Sequence, residues 1–582
     1  MSRTPDERHF TTHDGTELFF RHWPALSGPA RGAILLFHRG HEHGGRMAHL
    51  VDELDMPDFA FYAWDARGHG RSPGERGFSP SFGTSVRDVQ SFVDFLAATD
   101  GVAISDTAVI AQSVGAVLIS TWVHDYAPKI RAMVLASPAF SVKLYVPLAR
   151  PGLKLMQKLR GHFFVNSYVK PRFLTHDPER RASYAADPLI TRPISVNILL
   201  QLYDAAERVV ADARAITVPT QLLISGADFV VRHAPQHEFF VNLGSRIKER
   251  HVLPGFFHDT LGERDRAPAL AEVRRFIHER FAEPLQQPDL SEAHLAGYTR
   301  DEADRLASPL PALSPKGLWW AAYRANLKVA GLLSKGIALG NRTGYDSGST
   351  LDYVYRDTAD GLGPLGRMID RTYLDAIGWR GIRQRKRHLE ELIGAALDRL
   401  HAAGEPAHVM DIAAGHGRYV LDALAAAGQQ PQSVLLRDYA DLNVESGRKL
   451  ITERGLADIA RFEKADAFDR ASIGAAQPGT NLGIVSGLYE LFADNGMVSR
   501  SLAGLADAIR PGGYLIYTNQ PFHPQLEMIA RALTSHRQGQ AWVMRRRTQG
   551  EMDQLVEAAG FRKITQRIDE DGIFTVSLAV RA

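Results

Sequence analysis

The stretch Val109-Ile110-Ala111-Gln112-Ser113-Val114-Gly115-Ala116 decides how the first half of the chain folds. The apolar run Thr107 to Ala111 stops at one serine set among small residues, and a helix-like run, Val114 to Tyr126, follows at once. Strand, tight turn, helix is the layout of a nucleophile elbow, in which the serine sits at a strained φ/ψ and its neighbours must be small. Gly115 and Ala116 on one side and Ala111 on the other meet that demand. A buried strand followed by a helix with a capping serine would read the same way, so the rest of the chain must decide.

The 582 residues exceed what one core accommodates, and two or three domains are expected. Lys and Arg number 68 against 66 Asp and Glu, a net charge of +2, which gives no global electrostatic case for nucleic acid. The absence of cysteine excludes disulfides, thiolate metal sites and a cysteine nucleophile. The polar stretch Met1 to Phe10 is not a signal peptide, and no apolar run is long enough to span a bilayer. A cytoplasmic protein is expected, with peripheral contact to a membrane surface as the open alternative.

Ala33 to Phe37 is continuously apolar, as a strand buried on both faces should be, and runs into His38-Arg39-Gly40-His41-Glu42-His43-Gly44-Gly45. Three histidines and a single glutamate on a glycine loop make a poor metal site, and no metal is expected. The strand Phe59 to Trp64 ends in Asp65-Ala66-Arg67-Gly68-His69-Gly70-Arg71-Ser72. Val86, Val89, Phe92, Val93 and Leu96 recur at helical spacing within Ser81 to Thr99. After the strand Ala132 to Ala136 the alternation stops until about residue 214. This insertion, 138–214, reads as a helical cap. Its apolar and basic stretch Leu144 to Phe164 either suits a hydrophobic substrate or forms plain core helices. Alternation returns with Pro219 to Asp228, then Lys248 to Leu253, Gly255-Phe256-Phe257-His258, and an amphipathic helix, Ala267 to Phe281.

A serine nucleophile needs a base to take its proton, and the base needs an acid to hold its tautomer. Ser113, Asp228 and His258 each follow an apolar run, in the chain order that doubly wound hydrolases use. With His38 to His43, Asp65 to Ser72, the Ser113 elbow, Gly226-Ala227-Asp228 and Gly255 to His258, residues 9 to 281 resemble the monoacylglycerol lipase and lysophospholipase group of serine aminopeptidase-like α/β-hydrolases. The resemblance implies Ser113 as nucleophile, His258 as general base and Asp228 as its orienter, with oxyanion amides from Gly40 and Val114. Two departures stand out. Ala111 and Ala116 replace elbow glycines, and the loop His38-Arg39-Gly40-His41 puts bulk beside the oxyanion hole.

Residues 283 to 384 are expected to be a linker and helical region: rich in Pro, Glu, Gln and Asp to about 312, then helical from Gly317 to Leu333. That aromatic, basic helix either docks on its own protein or lies on a membrane interface. The basic run Arg380 to His388 leads into an amphipathic helix, Leu389 to Leu400, and reads as a solvated face or as an anionic substrate site.

A second centre follows at Ala407-His408-Val409-Met410-Asp411-Ile412-Ala413-Ala414-Gly415-His416-Gly417-Arg418, again strand, glycine loop and helix start. It lacks G-x-G-x-x-G spacing, so a dinucleotide is disfavoured. One helix and one strand later, Asp438 ends Ser433 to Asp438, its carboxylate placed to accept two ribose hydroxyls. Asp466 ends another strand. Leu482 to Val485 leads to Ser486-Gly487-Leu488-Tyr489-Glu490, and Pro511-Gly512-Gly513-Tyr514 turns into the next strand. Taken in order, residues 385 to 582 resemble class I S-adenosylmethionine-dependent methyltransferases. The resemblance implies Asp411, Ala413, Gly415 and Gly417 around the methionine moiety of S-adenosyl-L-methionine, Asp438 on its ribose and Asp466 near its adenine. Tyr489, Glu490, Asn519, Gln520 and His523 lie on loops after strands, where a methyl acceptor approaches.

The expected fold class is α/β: a hydrolase domain with a helical cap over 1–282, the region 283–384, and a Rossmann-like methyltransferase domain over 385–582. The whole resembles bacterial fusions of a hydrolase with a methyltransferase. The expected function is cleavage of a lipid-like acyl ester together with methyl transfer to an unidentified acceptor. The alternative is one active domain joined to a binding or lipid-surface module.

Overall fold

The structure is a computed structural model that describes residues 3–143, 148–167, 169–428, 430–537 and 539–582. The chain divides into two compact units, Met1–Pro288 and Asp289–Ala582.

The first unit holds one eight-stranded sheet: β1 (Asp6–Thr11), β2 (Glu17–Trp23), β3 (Gly32–Phe37), β4 (Phe59–Trp64), β5 (Thr107–Gln112), β6 (Ala132–Ala136), β7 (Thr220–Ser225) and β8 (Lys248–Leu253). Their order across the sheet is β1-β2-β4-β3-β5-β6-β7-β8. β2 runs antiparallel to β1 and β4, and the remaining pairs are parallel. Every residue of β3 to β7 is buried, as the unbroken apolar runs require of strands covered on both faces. The helix Phe82–Thr99 starts where Ser81 accepts a hydrogen bond from the Thr84 amide at 2.9 Å, and it buries Val86, Val89, Phe92, Val93 and Leu96. This is the α/β-hydrolase fold expected of the sequence.

Between β6 and β7 the insertion holds helices Ala149–Arg160, Pro178–Ala186 and Val196–Ala211, with a two-stranded ribbon pairing Phe164–Asn166 and Pro193–Ser195. Residues 144–147 of the expected helical stretch lie outside the described residues. Helix Ala149–Arg160 buries none of its side chains, and its Leu155 and Leu159 are exposed beside Lys154 and Lys158.

The second unit is built on a seven-stranded sheet: β9 (His408–Asp411), β10 (Ser433–Asp438), β11 (Ala460–Lys464), β12 (Leu482–Val485), β13 (Tyr514–Asn519), β14 (Phe561–Ile568) and β15 (Thr575–Arg581). The order is β11-β10-β9-β12-β13-β15-β14, parallel throughout except for β15, which is antiparallel to both neighbours. Strand order reverses between β9 and β12, which opens a crevice at their carboxyl ends. Helix Ile377–Ala402 lays Leu389, Leu392, Ile393, Ala396 and Leu400 on this sheet.

Residues 289–384, expected as a region outside this domain, belong to the second unit. Their helices and the turn at Tyr345 carry Leu306, Tyr345, Tyr353, Val354, Leu374 and Trp379 into one apolar cluster with Ile529, Met544 and Phe574. That burial joins them to the sheet domain. Helix Pro315–Ala330 presents Tyr323, Leu327 and Ala330 to a cavity described below, with Leu318, Trp319 and Val329 exposed on other faces. Among the described residues no helix is long and apolar enough to cross a membrane.

The elbow depends on close approach. A Cβ on Gly115 would lie 2.5 Å from the His38 carbonyl oxygen and 2.7 Å from that of Phe37, both backbone atoms that cannot swing aside. Gly115→Ala is therefore expected to destabilise the first unit by about 1–3 kcal/mol. Urea unfolding followed by circular dichroism should show the lower midpoint.

Candidate active sites

Ser113 sits between β5 and helix Val114–Tyr126 with φ +55° and ψ −113°, a conformation L residues rarely adopt. Its amide donates to the Ala136 carbonyl at 2.9 Å and its carbonyl accepts from the Ala139 amide at 3.1 Å. The strained residue is thus held from both ends. Its Oγ is 2.8 Å from His258 Nε2, and His258 Nδ1 is 2.7 Å from Asp228 Oδ2. Asp228 Oδ1 accepts from the amides of Val230 and Val231 at 2.7 and 3.0 Å. Burial alone would raise the Asp228 carboxyl, but His258 and these two amides hold it below its ordinary value. All three residues are buried. Gly40 lies beside Val114, since a Cβ on it would come within 3.0 Å of Val114 Cγ2.

The bulk of Arg39 goes elsewhere. Its Nε donates to Glu42 Oε2 at 2.8 Å, and its guanidinium lies 3.5 Å from Asp259. Arg180, on helix Pro178–Ala186 of the insertion, donates to Asp259 Oδ2 at 2.6 Å. Burial opposes ionisation of Asp259, yet Arg180 and Arg39 hold it well below the usual carboxylate range. Gln112, the residue before the elbow, donates from Nε2 to Asp259 Oδ1 at 3.1 Å and to the His258 carbonyl at 3.2 Å. Sequence reading missed Gln112, Asp259 and Arg180. Adjacency to Ser113 and His258 was the only signal for the first two, and Arg180 carried none. The loop histidines have separate partners: His38 Nε2 accepts from the Ala66 amide at 3.1 Å, and His43 Nε2 lies 3.0 Å from Asp187.

In the second unit Asp411 ends β9 and is fully buried. Its Oδ1 accepts from the Ala413 amide at 3.1 Å and its Oδ2 from the Tyr419 hydroxyl. Burial pushes its carboxyl up to about 7, against these two donors and with a smaller upward push from Asp438. Asp438 ends β10. Its Oδ2 accepts from the Gly415 amide at 2.9 Å, and its Oδ1 from the Ala440 amide and Asn443 Nδ2, each at 2.9 Å. Gly415 and Gly417 have φ of +59° and +76°, and a Cβ on Gly417 would strike Leu436 Cδ1 at 2.5 Å. Asp466 follows β11, and its Oδ1 accepts from the Phe468 amide at 2.9 Å.

Beyond β12 and β13 lies a cavity of about 350 Å³. Glu490, Gln520 and His523 line it, as does Arg385 from the basic run, whose side chain is buried rather than solvated. Tyr489 and Asn519, expected at the acceptor site, do not line it. Tyr489 donates its hydroxyl to Ser501 Oγ at 2.9 Å, and Asn519 Nδ2 donates to the Arg547 carbonyl at 3.1 Å, so both serve the fold. Arg547 in turn donates to the carbonyls of Tyr489 and Phe492, each at 2.6 Å, and fixes the loop that carries Glu490.

Residues 273–581 match the model of a family described as "Putative methyltransferase". Those residues are more than half of the chain. The chain belongs to that family. Residues 28–265 match a second model, "Serine aminopeptidase, S33". The "Uncharacterized protein YnbC" of Escherichia coli (strain K12) is 58% identical over 582 residues, 100% of this chain and 99% of that one. The monoacylglycerol lipase of Mycolicibacterium smegmatis is 26% identical over 284 residues, 48% of this chain and 98% of the relative. The monoglyceride lipase of Homo sapiens is 30% identical over 230 residues, 38% of this chain and 73% of the relative. The protein thus fuses a monoacylglycerol lipase-like hydrolase domain to a methyltransferase-family domain.

The raised Asp411 carboxyl has a consequence for stability. In the unfolded chain it titrates near its ordinary value of about 4, so as pH rises from about 4 to about 7 the unfolded state sheds its proton first and the folded state loses stability. Asp411→Asn removes this penalty. Its melting temperature is expected to exceed that of the native protein by more at about pH 8 than at about pH 5, as differential scanning calorimetry would show.

Proposed function

We propose that the first unit is a serine esterase acting on acyl esters with an apolar part, and that the second transfers a methyl group from S-adenosyl-L-methionine. The observation that carries the first reading is the relay of 2.8 and 2.7 Å from a strained Ser113 through His258 to Asp228. In this reading His258 Nε2 takes the Ser113 proton as Oγ attacks the ester carbonyl. Asp228 keeps the proton of His258 on Nδ1 and stabilises the imidazolium that forms. The amides of Gly40 and Val114 receive the developing oxyanion. His258 then returns its proton to the leaving alcohol, and water releases the acyl group by the same route.

The chemistry of the second donor set fits a sulfonium nucleoside. Gly415 leaves its backbone bare, since a Cβ there would meet nothing nearer than Gly348 Cα at 3.8 Å. Asp438, at a strand end beside that loop, is the group to hold ribose hydroxyls. The buried Asp411 favours a cationic ligand, and the start of helix Arg418–Ala426 faces its polar end. When bound, the nucleoside supplies an electrophilic methyl group. The chain's residues orient it and exclude water.

Ser113→Ala is expected to abolish fluorophosphonate labelling and to lower ester hydrolysis by about 10⁶-fold, and Asp228→Asn to lower it by about 10⁴-fold. Unlabelled Ser113 in folded native protein would sink this reading. For the second unit, calorimetry is expected to show S-adenosyl-L-methionine binding that weakens about 10–100-fold in Asp438→Ala. A cation favours ionised Asp411, so binding should release a proton and tighten by up to about tenfold between about pH 6 and about pH 8.

A further inference from the structure

The cavity of about 350 Å³ beside β12 and β13 is within the size range of ligand pockets, and its composition is uneven. Ile337, Tyr373, Trp379, Ile529, Trp542 and Phe574 give it an apolar body. Met368, 61% exposed, marks its mouth. Its polar groups converge at the sheet end. Glu490 Oε1 accepts from Thr518 Oγ1 at 2.8 Å, and Thr518 Oγ1 also accepts from the Gly487 amide at 2.8 Å. Glu490 Oε2, by contrast, is buried without a hydrogen-bond partner among the described residues, and so is Gln520 Nε2. Both side chains are more than nine-tenths buried. Unpaired buried groups of this kind are costly unless a ligand completes them.

His523 adds a donor. Its Nδ1 accepts from the Gln525 amide at 3.0 Å, and burial lowers its pKa to about 4. The neutral ring therefore carries its proton on Nε2, next to Gly378 of the cavity wall. Arg385 lies 3.8 Å from Glu490 and over the Phe574 ring at 5.1 Å, so these two charges face each other, although Arg385 Nε is buried without a hydrogen-bond partner among the described residues; Asp346, also in the lining, is held by Ser535 and the His536 amide. An anionic ligand would put a second carboxylate beside Glu490, and an ammonium would face Arg385. A hydroxyl suits what remains, because it donates to Glu490 Oε2 while accepting from Gln520 Nε2 or His523 Nε2.

We propose that this cavity holds the methyl acceptor, an elongated apolar molecule whose reacting end is a neutral hydroxyl set between Glu490, Gln520 and His523. The assignment rests on the methyl-transfer reading above and names its substrate class. β12 pairs directly with β9, with Ile484 opposite Asp411, so the loop bearing Glu490 leaves the sheet beside the Asp411 to Gly417 loop. On transfer the hydroxyl oxygen forms the new O–C bond as the methyl leaves a sulfonium sulfur. The sulfur keeps the C–S electron pair, and the hydroxyl proton passes to Glu490 Oε2. The product is a methyl ether.

The test is calorimetric titration of the full chain with decanol, decanoate and decylamine, with no methyl donor present. Decanol is expected to bind, with decanoate and decylamine at least about tenfold weaker. Ile369→Glu, in the cavity wall, is expected to weaken decanol by at least about tenfold; Met368→Glu, exposed at the mouth, does so without threatening the fold. Glu490→Gln is expected to narrow the gap between decanol and decanoate to about threefold or less. Decanoate or decylamine binding as tightly as decanol would overturn the proposal. So would decanol affinity unchanged in both Ile369→Glu and Met368→Glu. Separate titration with S-adenosyl-L-methionine tells the two readings apart. Nucleoside binding without decanol binding defeats the acceptor assignment alone, and decanol binding without nucleoside binding defeats the methyl-transfer reading.

Discussion

A strand covered by helices on both faces has little room for an ionised side chain along its middle, and the central strands of both sheets obey that constraint. β3 to β7 are buried at every position, and so are β9 and β12 apart from His408. Polar chemistry is pushed to the carboxyl ends, where the chain turns and backbone amides come free. Ser113, Asp228 and His258 follow β5, β7 and β8. Asp411 and Asp438 are the last residues of β9 and β10, and Glu490 and Gln520 follow β12 and β13. Each half therefore gathers its functional groups at one edge of its sheet from segments far apart in sequence.

Charges gathered there are buried, and burial has to be offset by fixed partners. In the first unit Arg39 and Arg180 surround Asp259, and Gln112 ties that carboxylate to the backbone of His258. Arg180 comes from the insertion, so the insertion is joined to the His258 loop by a buried charge pair rather than by apolar contact alone. In the second unit Arg545 donates to Thr299 and Asn495 at 3.0 and 2.8 Å and pairs with Glu551, while Arg547 donates to Asn495 Oδ1 at 2.8 Å and to the carbonyls around Glu490. Such networks add little net stability, since desolvation consumes most of the attraction. Their effect is to allow one geometry, because any other leaves a buried charge unpaired.

The elbow and the relay were legible because each residue stands directly after an apolar run, where local sequence alone marks a strand's end. The glycine loop from Asp411 to Gly417 was legible for the same reason. The place of Arg39 was not. Its partner Glu42 is three residues away, but Asp259 and Arg180 come together with it only through the fold. The cavity was half legible: Glu490, Gln520 and His523 follow strands, whereas its apolar walls come from helices at 315–330, 335–343, 348–356, 363–374 and 377–402 and from residues 528–574. Helix Pro315–Ala330 reads in sequence as an aromatic, basic stripe that docks on its own protein or lies on a membrane interface, and only packing shows that Tyr323 and Leu327 line a cavity. Tyr489 and Asn519 misled for a related reason. A residue next to a strand's end is as well placed to tie down the loop as to line it, and the hydrogen bonds to Ser501 and Arg547 decide for the former.

Two buried carboxyls show how the same position yields opposite chemistry. Asp228 and Asp411 both sit at strand ends, and burial raises both. Asp228 accepts two backbone amides and faces His258, whose imidazolium form would be its counter-charge, so it is held below its ordinary value. Asp411 has one amide and one phenol, with Asp438 nearby adding like charge, and it rises to about 7. A carboxylate that must stabilise a transient imidazolium has to stay ionised through the cycle, and Asp228 has the donors for that. A carboxyl left near neutrality ionises more readily beside a cation, which suits Asp411 to the sulfonium ligand proposed above. The charge facing each carboxyl, His258 for Asp228 and Asp438 for Asp411, adds to the difference in burial and donors to separate the two.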